Sequence, residues 1–112
     1  MPPAIKPVHW LGDSRRAVSR FPVLARSLVG HQLYRVQCGL DPADWKPMPT
    51  IGQGVRELRV HAGGEWRLIY LATRPEAVYV LHAFGKKTRR TAREDVALAV
   101  ERLKLVEAGR RR

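Results

Sequence analysis

Two arginines and a histidine occur at spacings that could bring them together on one face of a β-sheet. The stretch VRELRVHAGGEWRLIYL, residues 55–71, places Arg59 and Arg67 on either side of a glycine pair. If AGG is a three-residue hairpin loop, Arg59 lies directly opposite Arg67. If TRPE is a four-residue loop, His82 of the next strand also lies opposite Arg67. Guanidinium groups bind phosphate bidentately, so this row is a candidate site for a phosphodiester backbone.

Like charges directly opposite on a sheet are destabilising, so the two arginines need an anion nearby. Basic residues continue in GKKTRRT after the third strand, where Lys86 would extend the same side. Plainer interpretations stay open at this point. Arg59 could pair with Glu57 or Glu65 in a modest surface contact, and KKTRR could be a solvated turn. His82 could equally be an ordinary sheet histidine.

The elements that must position these residues follow from the apolar pattern. Strand-like runs cover residues 55–61, 65–72 and 77–84. A final helix is expected over TAREDVALAVERLKLVEAG, with Thr91 and Glu94 as a capping box. Its apolar stripe is expected to pack on the sheet and consists of Val96, Ala99, Val100, Leu103 and Val106.

The first half of the chain predicts a short strand, two helices and a loop. IKPVHWL is expected to form an edge strand, because proline is confined to edges. Two helices joined at FP would make a hairpin, since proline is tolerated in the first helical turn. Residues 39–54 hold three prolines and three glycines and are expected to be a loop. Residues at helical spacing predict the buried face of the second helix: Leu24, Leu28, Val29, Leu33 and Val36.

Composition limits the partners and the compartment. The chain carries 21 Lys and Arg against 10 Asp and Glu, a net charge of +11, which favours a polyanionic partner such as nucleic acid. The length predicts one domain over residues 1–112. The single cysteine, Cys38, excludes an intramolecular disulfide and favours a reducing compartment. No signal peptide or membrane span is expected, so the protein is interpreted as cytoplasmic.

Metal and cofactor sites are not expected. The four histidines lack tight ligand spacing, and a single cysteine cannot found a zinc site. The glycines of GQGVRE precede a strand rather than a helix, so they do not form a dinucleotide-binding loop.

A family resemblance extends over nearly the whole chain and is densest between Asp44 and Leu103. The motifs W-K-P, V-R-E-L-R, W-R-L-I-Y and F-x-K-K-T, in this order, resemble the RelE/ParE superfamily, specifically the phage-related HigB-like branch of type II toxin–antitoxin systems. The resemblance implies a RelE-like α+β fold, with an N-terminal helical hairpin packed on a small twisted antiparallel sheet and a C-terminal helix. It also implies a toxin that cleaves messenger RNA on the ribosome and is inhibited by a cognate antitoxin, often a helix-turn-helix protein.

The resemblance also implies roles for individual residues. Arg67 matches a family arginine that contacts the scissile phosphate, and Arg59 lies near a family basic position. Lys87 or its neighbour Lys86 matches a basic position after the last strand and could act as a leaving-group acid or clamp. A histidine suits proton transfer at neutral pH, so His82 is the expected shuttle. A tyrosine of RelE has no counterpart in TAREDV, which leaves the general base open.

The remaining basic side chains are expected to contact RNA: Lys46, Arg56, Arg89, Arg90 and Arg93. Two other functions are considered. ParE-like relatives poison DNA gyrase through protein contacts, and a basic RNA-binding module would need no catalysis. The sequence leaves open the codon preference, the antitoxin's docking surface and the oligomeric state.

Overall fold

The structure, a computed structural model, describes residues 5–110. The first four residues, which belong to the N-terminal segment in which no signal peptide is expected, and the last two lie outside the described residues. The elements in chain order are β1 Val8–Trp10, α1 Ser14–Ser19, α2 Val23–Gln37, β2 Trp45–Pro47, β3 Val55–His61, β4 Glu65–Leu71, β5 Val78–Gly85 and α3 Arg93–Arg110.

The strands form one five-stranded mixed sheet in the order β1-β5-β4-β3-β2. β1 lies at one edge, as predicted, but it pairs parallel to β5, so the expectation of a purely antiparallel sheet is wrong. β2 forms the other edge within the segment predicted to be loop, where Lys46 pairs with Glu57. A strand of three residues, in a segment with three prolines, is too short to show a recognisable pattern in the sequence. Pro47 is tolerated because β2 is an edge strand.

The first hairpin has the predicted register. Arg59 pairs with Arg67 across β3 and β4, and His61 pairs with Glu65. The second hairpin does not have the predicted register, because Arg67 pairs with Phe84 and His82 pairs with Ile69. Two causes combine: the β4–β5 connection is longer than four residues, and a β-bulge shifts the register between Ile69 and Tyr70.

Helices cover both faces of the sheet, so the core has two halves. On one face α1 and α2 pack over Leu58, Leu68 and Val80. On the other face α3 packs over Ile69 and Leu81. The molecule is therefore an α+β protein with a five-stranded mixed sheet between unequal helical layers.

The helices depart from prediction in two details. α2 buries Ala25, Val29, Leu33 and Val36, whereas Leu24 and Leu28, predicted to be buried, face solvent. The second detail is the predicted capping box. Thr91 lies before α3, and its hydroxyl donates to Glu57 Oε2 at 2.9 Å instead of closing a box with Glu94. The predicted apolar stripe of α3 does pack on the sheet.

Within residues 5–110, no helix combines the length and the apolar composition needed to cross a membrane.

Candidate functional site

Four basic residues lie on the sheet face that α3 partly covers, and we call them the cationic cluster: Lys46, Arg59, Arg67 and Lys86. Arg59 and Arg67 share this face because they are cross-strand partners. Lys46 reaches it from β2. Lys86 follows β5, and its backbone N–H donates to the carbonyl of Glu65 at 2.7 Å, which continues the strand pairing by one residue. β5 itself ends at Gly85, so Lys86 follows the strand directly.

A buried carboxylate lies inside this cluster. The Glu57 side chain is fully shielded from solvent, and its Oε1 lies 3.6 Å from Arg59 Nε and 3.5 Å from Arg67 Nε. Its Oε2 accepts the hydrogen bond from Thr91. Two arginines directly opposite each other on a sheet repel. Glu57 offsets this repulsion, because both arginines share its negative charge.

The two arginines differ in what they can offer to a ligand. The Arg67 side chain is only 5% exposed, and its Nη1 and Nη2 donate to the Trp66 carbonyl at 3.1 Å and to Glu65 Oε1 at 2.9 Å. The Arg59 side chain is 27% exposed, and among residues 5–110 the carboxylate within salt-bridge distance of it is that of Glu57. Arg59 therefore presents the more available guanidinium.

The surroundings of Lys86 change its pKa. Partial burial lowers the pKa of Lys86, and the positive charge on Arg67 lowers it further. The charges of Lys46 and Arg59 act in the same direction, whereas Glu57 opposes them. A lysine with a lowered pKa gives up its proton more readily than an ordinary one.

An exposed chain of polar contacts forms the rim of the cluster. His61 Nδ1 lies 2.8 Å from Glu65 Oε2, and His61 Nε2 lies 2.7 Å from Asp44 Oδ2. The contacts with Asp44 and then Glu65 raise the pKa of His61. The contacts with His61 and then Arg67 lower the pKa of Glu65. Glu65 thus occupies one edge of Arg67 with an anion that solvent can reach.

His82 lies on the same sheet face but away from the arginine row. Its Nε2 lies 2.6 Å from Asp95 Oδ1, and its Nδ1 lies 3.4 Å from Arg102 Nη1, both on α3. The ring stacks on Phe84 with 5.1 Å between centroids. Both ring nitrogens therefore already have partners, and the predicted pairing of His82 with Arg67 is wrong.

The remaining predicted residues, Lys87 for catalysis and the arginines for RNA contact, fall in two places. Lys87, Arg89 and Arg90 are exposed in the segment between β5 and α3, where Lys87 and Arg90 line a cleft together with Lys86, and Arg93 begins α3. Arg56 instead lies on the opposite face of β3, because side chains alternate along a strand. It contacts Asp41 at 2.8 Å and lies 3.9 Å from the centre of the Trp45 ring.

Sequence reasoning missed the central position of Glu57 and its bond to Thr91. The period of two in V-R-E-L-R does place Glu57 on the face of Arg59, so a signal for the carboxylate exists. No local signal connects Glu57 to Thr91, which is 34 residues away. Among the described residues, no group of three or more His, Cys, Asp or Glu side chains could hold a metal ion.

Fold and site together define a small, strongly basic α+β protein with cationic side chains gathered on one sheet face. The family model described as "Phage derived protein Gp49-like (DUF891)" matches residues 16–104, and the chain belongs to this family. The family is toxin-like and is associated with RelE-like toxins, and it implies an antitoxin partner. A search of the curated proteins found no significant match.

Proposed function

We propose that this protein is the toxin of a type II toxin–antitoxin pair and that it cleaves messenger RNA bound to the ribosome. The observation that carries the proposal is the convergence of Arg59, Arg67, Lys46 and Lys86 on one face around Glu57. Membership of a toxin-like family supports it. The specific relationship to HigB-like toxins, drawn from the sequence motifs, belongs to the same proposal.

The reaction proposed is attack of a ribose 2′-hydroxyl on the adjacent phosphate. Negative charge builds on the phosphate oxygens in the transition state, and preorganised cations there supply the largest stabilisation. Arg59 binds the phosphate directly, because its side chain is the more exposed of the two arginines. The positive charge of the buried Arg67 also stabilises the phosphate. Arg67 contacts the phosphate directly after Glu65 has moved away from its Nη2.

Lys86 acts as the acid that protonates the leaving 5′-oxygen. Its lowered pKa favours proton donation, and its position beside Arg67 keeps it near the reacting phosphate. We give His82 a structural role, since a shuttle would first have to release Asp95 or Arg102. The 2′-hydroxyl proton leaves to solvent in this scheme.

The remaining cations hold the ribosome and the message. Lys87, Arg89, Arg90 and Arg93 form a basic border beside Lys86, suited to the RNA backbone. We take residues 1–112 as a single toxin domain with a RelE-like fold. Because ribosomes are its target, the proposal makes the protein cytoplasmic, and a small helix-turn-helix antitoxin is its expected partner.

The test is induction in bacteria with mapping of RNA 5′ ends and of DNA breaks. We expect growth arrest and new transcript 5′ ends inside translated regions. These new 5′ ends should disappear when translation initiation is blocked. Double-strand DNA breaks with intact transcripts would instead identify a gyrase poison. Binding of RNA without cleavage would reduce the protein to a binding module.

A further inference from the structure

Glu57 places a fully buried negative charge among the residues of the cationic cluster. Removing a carboxylate from water costs several kcal/mol unless cations and hydrogen bonds compensate. Here the compensation comes from three directions: Arg59 Nε at 3.6 Å, Arg67 Nε at 3.5 Å, and the Thr91 hydroxyl at 2.9 Å. Lys46 lies directly across the strand pair.

The contacts show which edge of each guanidinium Glu57 holds. Oε1 faces the Nε atoms of both arginines, and these three atoms are buried and form no hydrogen bond of their own within residues 5–110. The interaction is therefore one of charge between neighbouring groups rather than a bidentate pair. It leaves the Nη groups of Arg59 for another anion.

Without this carboxylate the two guanidiniums would face each other as uncompensated like charges. The repulsion acts between partners on adjacent strands, where side chains lie closest. The more exposed Arg59 would then turn toward solvent and away from Arg67. The pair would no longer form a single phosphate-binding unit.

We infer that Glu57 is a positioning residue of the proposed nuclease: its buried carboxylate holds Arg59 and Arg67 side by side for one RNA phosphate. This inference rests on the proposed function. Thr91 fixes the second oxygen of Glu57 and so connects the segment before α3 to the arginine pair. Neither residue touches the RNA.

The test compares Glu57→Gln, which keeps the shape and removes the charge, with the wild-type protein on programmed ribosomes. We expect kcat to fall about 10²-fold, because misplaced groups lose transition-state stabilisation. RNA affinity should stay within about threefold, since the variant loses a negative charge and keeps every cation. A folded Glu57→Gln protein with wild-type kcat would overturn the inference.

A second variant covers the case in which Glu57→Gln does not fold. Thr91→Val removes the hydrogen bond to Oε2 and leaves all charges in place. We expect a smaller fall in kcat, about tenfold, with unchanged RNA affinity. An unchanged kcat in folded Thr91→Val would then count against the inference.

A readout without catalysis separates this inference from the proposed function. In wild-type protein the Nε–H signals of Arg59 and Arg67 in NMR spectra should exchange slowly, because both nitrogens are buried beside Glu57. In Glu57→Gln, or in Thr91→Val if that variant alone folds, the Arg59 signal should exchange faster. If wild-type protein cuts no RNA, the proposed function fails, and these signals alone decide whether Glu57 holds the pair. Equal exchange of the Arg59 Nε–H signal in variant and wild type would refute the inference about Glu57.

Discussion

At the residue scale, the two arginines of the candidate site share one carboxylate but have unequal surroundings. Arg67 is enclosed by Glu57, Glu65 and the Trp66 carbonyl, whereas Arg59 contacts Glu57 and has a partly exposed side chain. Loss of Arg67 therefore combines two effects, on structure and on binding. Loss of Arg59 also takes a partner from Glu57, but it breaks no contact with Glu65 or the Trp66 carbonyl, so we expect its cost in structure to be the smaller of the two.

Substitution separates these two arginines. Arg59→Ala should reduce cleavage on ribosomes about 10²–10³-fold, as removal of one transition-state donor does. Arg67→Ala should also lower the free energy of unfolding by about 3–5 kcal/mol, because buried Glu57 loses a partner. Urea denaturation and single-turnover cleavage measure the two quantities. Arg26→Ala, which removes the same charge from exposed α2, is the control.

The proposed acid, Lys86, predicts a pH dependence. An acid must be protonated to act, so cleavage should be retained below the lowered pKa of Lys86 and lost as pH rises through it. In Lys86→Arg the group stays charged, and this loss should disappear from the pH profile of kcat, with a lower plateau. A profile identical to wild type would rule out Lys86 as the acid.

At the element scale, the rim connects three strands through one histidine. Asp44 precedes β2, His61 ends β3 and Glu65 begins β4, so a charged His61 holds the three together. The pKa of His61 is raised in the folded state by Asp44 and Glu65. Folding is therefore linked to protonation of a group outside the cationic cluster.

The sign of this linkage sets the expected stability profile. A raised histidine pKa contributes stability that is fully present below the unfolded value, about 6.5, and is lost as pH rises through the folded value. Wild-type melting temperature should therefore decline above about pH 6.5 more than that of His61→Gln. Parallel profiles between pH 6 and 8.5 would show that the rim does not contribute.

At the scale of the whole molecule, the net charge of +11 dominates long-range behaviour. The cluster and the exposed arginines after β5 lie at one end of the α3 face, while α1 and α2 cover the opposite face. Such a charge accelerates association with a polyanion and makes affinity steeply dependent on salt.

Salt titration tests whether the basic border contacts RNA. Removing two phosphate contacts with Arg89→Gln and Arg90→Gln should reduce the slope of log affinity against log salt by roughly 1.4–1.8. The comparison is made by measuring ribosome or RNA binding between low and physiological salt. The double variant Arg15→Gln and Arg20→Gln, on the opposite face, should change this slope less. Equal slopes in both double variants would remove Arg89 and Arg90 from the interface.

The sequence by itself determined the first hairpin and the shared face of Arg59 and Arg67. Turn residues and the alternation of side chains are local, so AGG and the period of two were sufficient. The apolar stripe of α3 was equally local. Outward-facing Leu24 and Leu28 escaped prediction, because apolar spacing does not by itself tell which face of α2 the sheet covers.

Only the tertiary structure decided what completes the site. Strand β2 forms because β3 offers an open edge, and the long β4–β5 connection and the bulge together move His82 from the arginine row to α3. The bond from Thr91 to Glu57 joins residues 34 positions apart. These features depend on how separate segments pack against one another, and no short stretch of sequence contains that information.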